Sequence, residues 1–246
     1  MYLVRAFIVC FLAIFAFPAL AQDDTKRILV YGDSNSWGWK PVENAIPTGR
    51  YDADTRWPGV MRNKLGDNYE VVVNALSGRT TDVHDPTFDG LSGSGLNGAD
   101  ALPSVIAAHL PLDLVVIMLG TNDLKKHFGR SPLRIALGAG HLISIVQDSG
   151  QMFGGGWYEY PAPKVLLVAP PPIGEQKVFG DLFEGGVAKS KKLASAFKDG
   201  ASAADAAFFD AGQVIQTDGV DGIHFTAETH RTLGTAITKK VRWLME

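Results

Sequence analysis

The chain has 246 residues, 46% hydrophobic and 20% charged, with a formal net charge of −3. That is long enough for one well-buried domain and ordinary for a globular protein, and it excludes a disordered, collagen-like or coiled-coil chain. The near-balanced charge gives no electrostatic reason to expect nucleic acid or an anionic membrane surface as partner.

Residues 1–21 read as a secretory leader rather than part of the fold. Arg5 precedes an apolar run over residues 6–17, Pro18 breaks it, and Ala19-Leu20-Ala21 forms a small-residue cleavage pattern. The run is shorter than the roughly 20 residues that span a bilayer, so stable membrane insertion is not expected. Loss of 21 of the 246 residues leaves 225, and loss of Arg5 moves the net charge from −3 to −4. The single cysteine, Cys10, leaves with the leader, so disulfide and thiol chemistry are not expected of residues 22–246. The expected location is periplasmic or secreted.

Residues 22–246 then alternate strand and helix. Strands are predicted at 27–32 (RILVYG), 69–74 (YEVVVN), 112–120 (LDLVVIMLG), 164–169 (KVLLVA) and 206–210 (AAFFD). Helices are predicted over 56–65, 102–110, 133–147, 183–198 and 227–244. Strands apolar throughout and separated by helices indicate an α/β class: a three-layer α/β/α sandwich around a five-stranded parallel sheet. In such sheets ligands bind beyond the carboxyl ends of the strands. Polar clusters follow three of them: Gly32-Asp33-Ser34-Asn35, Ser77-Gly78-Arg79-Thr80 and Gly120-Thr121-Asn122-Asp123. A fourth, Asp221-Gly222-Ile223-His224, precedes the last helix.

These clusters hold the parts of an acyl-transfer site. Ser34 follows a strand, where a turn or helix start can present its hydroxyl. Asp221 lies three residues before His224, so in a tight turn it can accept the Nδ1 hydrogen and leave Nε2 facing the nucleophile. Asn122 can offer a side-chain N–H and Gly78 a backbone N–H to an oxyanion. Each piece alone has a plainer reading: a turn, a helix cap, a surface loop. No G-x-S-x-G elbow is present. A phosphohydrolase using Asp33 and Asp123 with a metal is conceivable, but His84, His109, His127, His141 and His230 show no compact ligand spacing, and no metal or cofactor is expected. Asp123 reads as structural, and Lys125 could reach the entrance of the site, with a solvated surface lysine as the plainer reading. Trp37 and Trp39 flank the nucleophile in sequence and either wall a substrate pocket or pack in the core. Ile223 and Phe225 bracket the histidine, and one of them is expected to line the pocket. Residues 85–100 (DPTFDGLSGSGLNGAD) form a long Gly/Ser-rich loop that could border the site.

The four clusters, in this order, resemble the four sequence blocks of SGNH (GDSL-like) hydrolases. The stretches VYGDSNSWGW, LPLDLVVIMLGTNDLK, APPPI, FEGG and DGVDGIHFT further resemble the arylesterase/acyltransferase branch. The resemblance implies a flavodoxin-like SGNH hydrolase fold and a serine esterase acting on small aryl or short-chain alkyl esters. It implies acyl transfer to water, alcohols or peroxide. It assigns Ser34, Asp221 and His224 as catalytic and the Ser34 backbone, Gly78 and Asn122 as the oxyanion hole. Trp37, Asn35, Thr121 and Ile223 are candidate substrate contacts, and a homo-oligomer is expected. Two features depart from the pattern. Asn35 stands where the GDSL name expects Leu, and the branch's mycobacterial representative lacks a leader. Alternatives are a carbohydrate deacetylase, a lysophospholipase-like enzyme, and a catalytically silent envelope binding protein.

Overall fold

The computed structural model describes residues 25–46, 48–88, 93, 95–150, 160–217 and 220–246. The leader expected over residues 1–21 lies outside them, as do residues 89–92 and 94 of the expected long loop. Among the described residues no helix is long and apolar enough to cross a membrane.

Five strands form the sheet: β1 (Lys26–Gly32), β2 (Tyr69–Ala75), β3 (Leu114–Met118), β4 (Lys164–Ala169) and β5 (Ala207–Asp210). All neighbours are parallel, in the order β2-β1-β3-β4-β5. Burial follows that order. β3 is buried at every position, and β1 and β4 are buried along most of their length, so their sequences are unbroken apolar runs. β2 and β5 are edges, only partly covered, and their sequences are more mixed.

Among the described residues the α-helices that pack on the sheet or present the site are α1 (Ser34–Trp37), α2 (Trp57–Leu65), α3 (Gly98–His109), α4 (Pro132–Gln147), α5 (Gly186–Ser190), α6 (Leu193–Ala203) and α7 (Ala227–Met245). Alternation along each strand divides the core in two. Ile28, Val30, Val116 and Leu166 face α2 and α7, where Trp57, Met61, Leu233 and Ile237 are buried. Leu29, Tyr31, Ile117 and Leu167 face α3, α4 and α6, where Ile106, Leu142 and Phe197 are buried.

Two predicted elements differ. The helix expected over 183–198 is two helices. Gly185, left-handed at φ +75°, sets the start of α5, and the Ser190 hydroxyl accepts the Ile173 N–H, tying the end of α5 to the loop after β4. Helix α3 begins earlier than the apolar spacing indicated, because the Asn97 side chain accepts the Ala99 N–H and caps it.

The strand order fixes where a ligand can sit. From β1 the chain passes to β2 on one side, then returns to β3 on the other, so the carboxyl ends of β1 and β3 flank a topological switch point. Gly32 at the end of β1 is in register with Ala75 of β2 and Met118 of β3. Ser34, Gly78 and Asn122 each lie within four residues of that rung.

Candidate active site

Asp33 starts the site. Its carboxylate accepts the Asn35 N–H at 2.9 Å and caps the single-turn helix α1, so Ser34 is held at a helix start directly above the sheet edge. Gly32 must be glycine for this turn, since a Cβ there would lie 2.2 Å from the Ser36 hydroxyl. Asp33 is almost completely buried, and burial pushes its carboxyl up to about 7 against the counteracting Asn35 hydrogen bond.

Across the switch point, the loop before α7 carries the partners of Ser34. His224 Nε2 lies 3.0 Å from Ser34 Oγ, and its Nδ1 lies 2.7 Å from Asp221 Oδ2. The other Asp221 oxygen accepts the backbone N–H groups of Ile223 (2.9 Å) and His224 (2.8 Å). Burial alone would raise the Asp221 pKa, but the His224 ring and these N–H groups outweigh it and hold the carboxyl below its ordinary range. A charged Asp221 requires the hydrogen on Nδ1 and leaves Nε2 able to accept from the serine. The turn depends on Gly222, at φ +78°, where a Cβ would lie 2.4 Å from the Glu175 carbonyl. The Gly222 carbonyl also accepts the Gly174 N–H at 2.7 Å, docking this loop on the segment after β4.

The Asn122 amide donates one hydrogen to the Arg79 carbonyl at 3.1 Å, which orients Nδ2. Gly78, left-handed at φ +90°, precedes Arg79, and both Gly78 and Asn122 line the cavity that contains Ser34 and His224. That cavity holds about 220 Å³. Its remaining wall is mostly apolar: Trp39, Phe88, Phe179, Leu182, Phe183 and Ile223, with Ser77 and Lys125 as polar members. The His224 ring sits between Trp39, at a centroid distance of 4.9 Å, and Phe179, at 6.2 Å. A larger concavity of about 300 Å³, lined by Arg50, Arg56 and Arg62 on the α2 side, holds no comparable hydroxyl–imidazole pair.

The structure thus brings together Ser34, Gly78, Asn122, Asp221, His224 and Ile223, and it gives five other candidate residues surroundings of their own. Trp37 is not in the cavity wall. Its ring is covered by the Arg50 guanidinium at 4.3 Å, and the left-handed Gly38 that ends α1 reverses the chain, so Trp39 reaches His224 instead. Asn35 is buried behind Ser34, where its amide donates to the Ile223 carbonyl at 3.2 Å and links the two halves of the site. Thr121 is buried outside the cavity, and its carbonyl accepts the Leu124 N–H in the turn that presents Asn122. Lys125 is not a solvated surface lysine: it is 4% exposed, paired with Asp85 at 2.6 Å, and part of the cavity wall. Phe225 is in the core beside α2 and α7, not in the cavity.

Asp123 is buried and bound to the Thr81 hydroxyl (2.6 Å) and Arg130 (2.7 Å), and Asp33 is a helix cap, so neither lines the cavity. Among the described residues no group of three His, Cys, Asp or Glu side chains is placed to hold a metal ion. His84 is exposed beside Asp100, His127 contacts Asp85, and His230 is buried with Nδ1 accepting the Trp57 N–H. The least legible member was Arg79. It is buried, donates to the carbonyls of Gly32, Asn74 and Gly95, and stacks on Tyr31 at 4.2 Å. It ties the ends of β1 and β2 beneath Ser34.

A buried hydroxyl–imidazole–carboxylate chain at the switch point of a doubly wound sheet defines a serine-hydrolase type of site. The GDSL-like Lipase/Acylhydrolase family matches residues 30–232, and the chain belongs to that family. The aryl esterase of M. smegmatis is similar at 52% identity and a TM-score of 0.83, covering 89% of this chain and 99% of that one. Est24, a carbohydrate acetylesterase from Sinorhizobium meliloti, is similar at 47% identity and a TM-score of 0.83 with the same coverage. A second carbohydrate acetylesterase family member from that organism shares 35% identity at a TM-score of 0.78, over 89% of this chain and 98% of that one. No curated protein sequence matches the chain. The protein is an esterase of the SGNH type.

Proposed function

We propose that the protein hydrolyses small carboxylic esters, aryl or short-chain alkyl, through an acyl-enzyme on Ser34. The observation that carries this reading is the Ser34–His224–Asp221 chain, at 3.0 and 2.7 Å, opening into the cavity shared with Gly78 and Asn122. His224 Nε2 takes the Ser34 proton as Oγ attacks the ester carbonyl carbon. The oxyanion is received by the N–H of Gly78, the Asn122 amide and the Ser34 backbone N–H. As the intermediate collapses, His224 returns the proton to the departing alcohol. Water then attacks the acyl group by the same route in reverse. The mostly apolar wall around His224 can hold the hydrocarbon part of an alcohol, which supports acyl transfer to alcohols in competition with hydrolysis. The cavity of about 220 Å³ suits a short acyl group, so activity should fall as the acyl chain lengthens.

Ser34→Ala tests the reading. Hydrolysis of 4-nitrophenyl acetate should drop by about 10⁴-fold or more; wild-type activity in this variant would refute it. A second reading is an acetylated carbohydrate as substrate, favoured by the two carbohydrate acetylesterases among the similar structures. Acetate release from acetylated sugars against aryl acetates separates the two. From the leader we infer export to the periplasm or beyond, with a mature N-terminus at Gln22; N-terminal sequencing of the exported protein checks this. We also infer a homo-oligomer, supported by Val73 and Leu76 at the β2 edge, each more than a third exposed; light scattering checks this.

A further inference from the structure

Lys125 stands out in the cavity wall because it is a buried cation among aromatic and aliphatic side chains. It follows the Asn122–Leu124 turn on the loop after β3. Its ammonium lies 2.6 Å from Asp85 Oδ2 and 5.3 Å from the centre of the Phe88 ring. Asp85 is itself closed off: its second oxygen accepts the Thr87 N–H (3.0 Å) and hydroxyl (2.6 Å), and lies 3.1 Å from His127 Nε2. Burial would raise the Asp85 pKa, but the Lys125 and Thr87 hydrogen bonds bring it down to about 2. The contact has the geometry of an ion pair, in which the two charges offset each other.

An ammonium has three N–H donors, and Asp85 accepts one. Because Lys125 borders the cavity with Ser34, a further N–H can turn toward its occupant. An acceptor there gains a charge-assisted hydrogen bond. A substrate carboxylate would gain the same bond but would also sit close to the buried Asp85 charge. The site therefore favours an uncharged oxygen.

We propose that Lys125 reads the substrate: it donates a hydrogen bond to an uncharged oxygen (hydroxyl, ether or carbonyl) carried by the ester beyond its reacting group. The enzyme then prefers such esters to hydrocarbon esters of the same shape. This rests on the esterase reading of Ser34. The oxygen can belong to the acyl or the alcohol part, and the experiment separates these.

The test uses isosteric pairs. On the acyl side, 4-nitrophenyl methoxyacetate is compared with 4-nitrophenyl butanoate; on the alcohol side, 2-methoxyethyl acetate is compared with butyl acetate. Each kcat/KM ratio is divided by the ratio for alkaline hydrolysis, which removes intrinsic reactivity. In one of the pairs the wild type should prefer the oxygen-bearing ester by about tenfold, the size of one charge-assisted hydrogen bond made to an already partnered donor. Lys125→Met should abolish that preference, bringing the corrected ratio of the two esters to about one. Since Lys125→Met strands the Asp85 carboxylate, Lys125→Met/Asp85→Asn is the companion variant and should behave alike. No preference in either pair, a preference that survives both variants, or a stronger preference for a carboxylate-bearing monoester would each overturn the proposal. Absence of any Ser34-dependent hydrolysis would instead refute the esterase reading beneath it.

Discussion

Asp221 and Asp33 are buried carboxylates a few residues from the reacting atoms, and their surroundings push them in opposite directions. Asp221 has three hydrogen-bond donors around it, from the His224 ring and two backbone N–H groups, and stays charged across the neutral range. Asp221→Asn keeps the shape but removes the charge that fixes the imidazole tautomer, so kcat should fall by about 10³–10⁴ with a much smaller change in KM. Steady-state kinetics on folded variant checks this. Asp33 is pushed the other way, up to about 7, chiefly by burial. The folded protein holds a proton on Asp33 that the unfolded chain has lost, so stability is full below the ordinary carboxylate pKa and declines as pH rises toward 7. Asn caps a helix as well as Asp does. Asp33→Asn should therefore match the wild type in Tm near pH 4, gain on it through pH 7, and hold a constant advantage above that. A Tm difference independent of pH would contradict this. Residue types alone could nominate Ser34, Asp221 and His224, because their chemistry is unusual and their spacing tight. They allowed Lys125 at the entrance of the site but not its burial, which depends on Asp85, forty residues distant in sequence.

At the scale of elements, the turns after the strands decide the site's geometry. Gly222 lies at φ +78° with its carbonyl bound to Gly174, and a methyl group there would collide with the Glu175 backbone. Gly222→Ala should displace Asp221 and His224 together, lowering kcat by about 10²-fold, since ångström-scale misplacement of a catalytic group costs on that order. A variant with unchanged kcat would show that the turn tolerates the shift. Arg79 is a second lever: Arg79→Met removes the donor to the carbonyls of Gly32, Asn74 and Gly95, which should cost about 2–4 kcal/mol in a denaturant melt. The strands were legible because β1, β3 and β4 are buried on both faces, which leaves unbroken apolar runs. The break between α5 and α6 was not. It depends on the Ser190 hydroxyl meeting Ile173, a tertiary contact with no local signature.

For the whole molecule, the parallel sheet gathers residues that are far apart in the chain. Ser34 and His224 are separated by 190 positions yet lie 3.0 Å apart, because both loops end at the switch point. The clusters at strand ends were therefore readable as one site before the strand order was known. The cavity wall was less so. Phe88, Phe179 and Leu182 come from irregular segments without periodicity, and Trp39 rather than Trp37 faces His224 only because Gly38 turns the chain. In the proposed mechanism Ser34 is the group that becomes acylated. Reaction of the protein with a fluorophosphonate followed by peptide mass mapping tests this. A single adduct should appear on the peptide containing Ser34 and be strongly slowed in His224→Ala. An adduct on another residue, or none on the folded wild type, would contradict it.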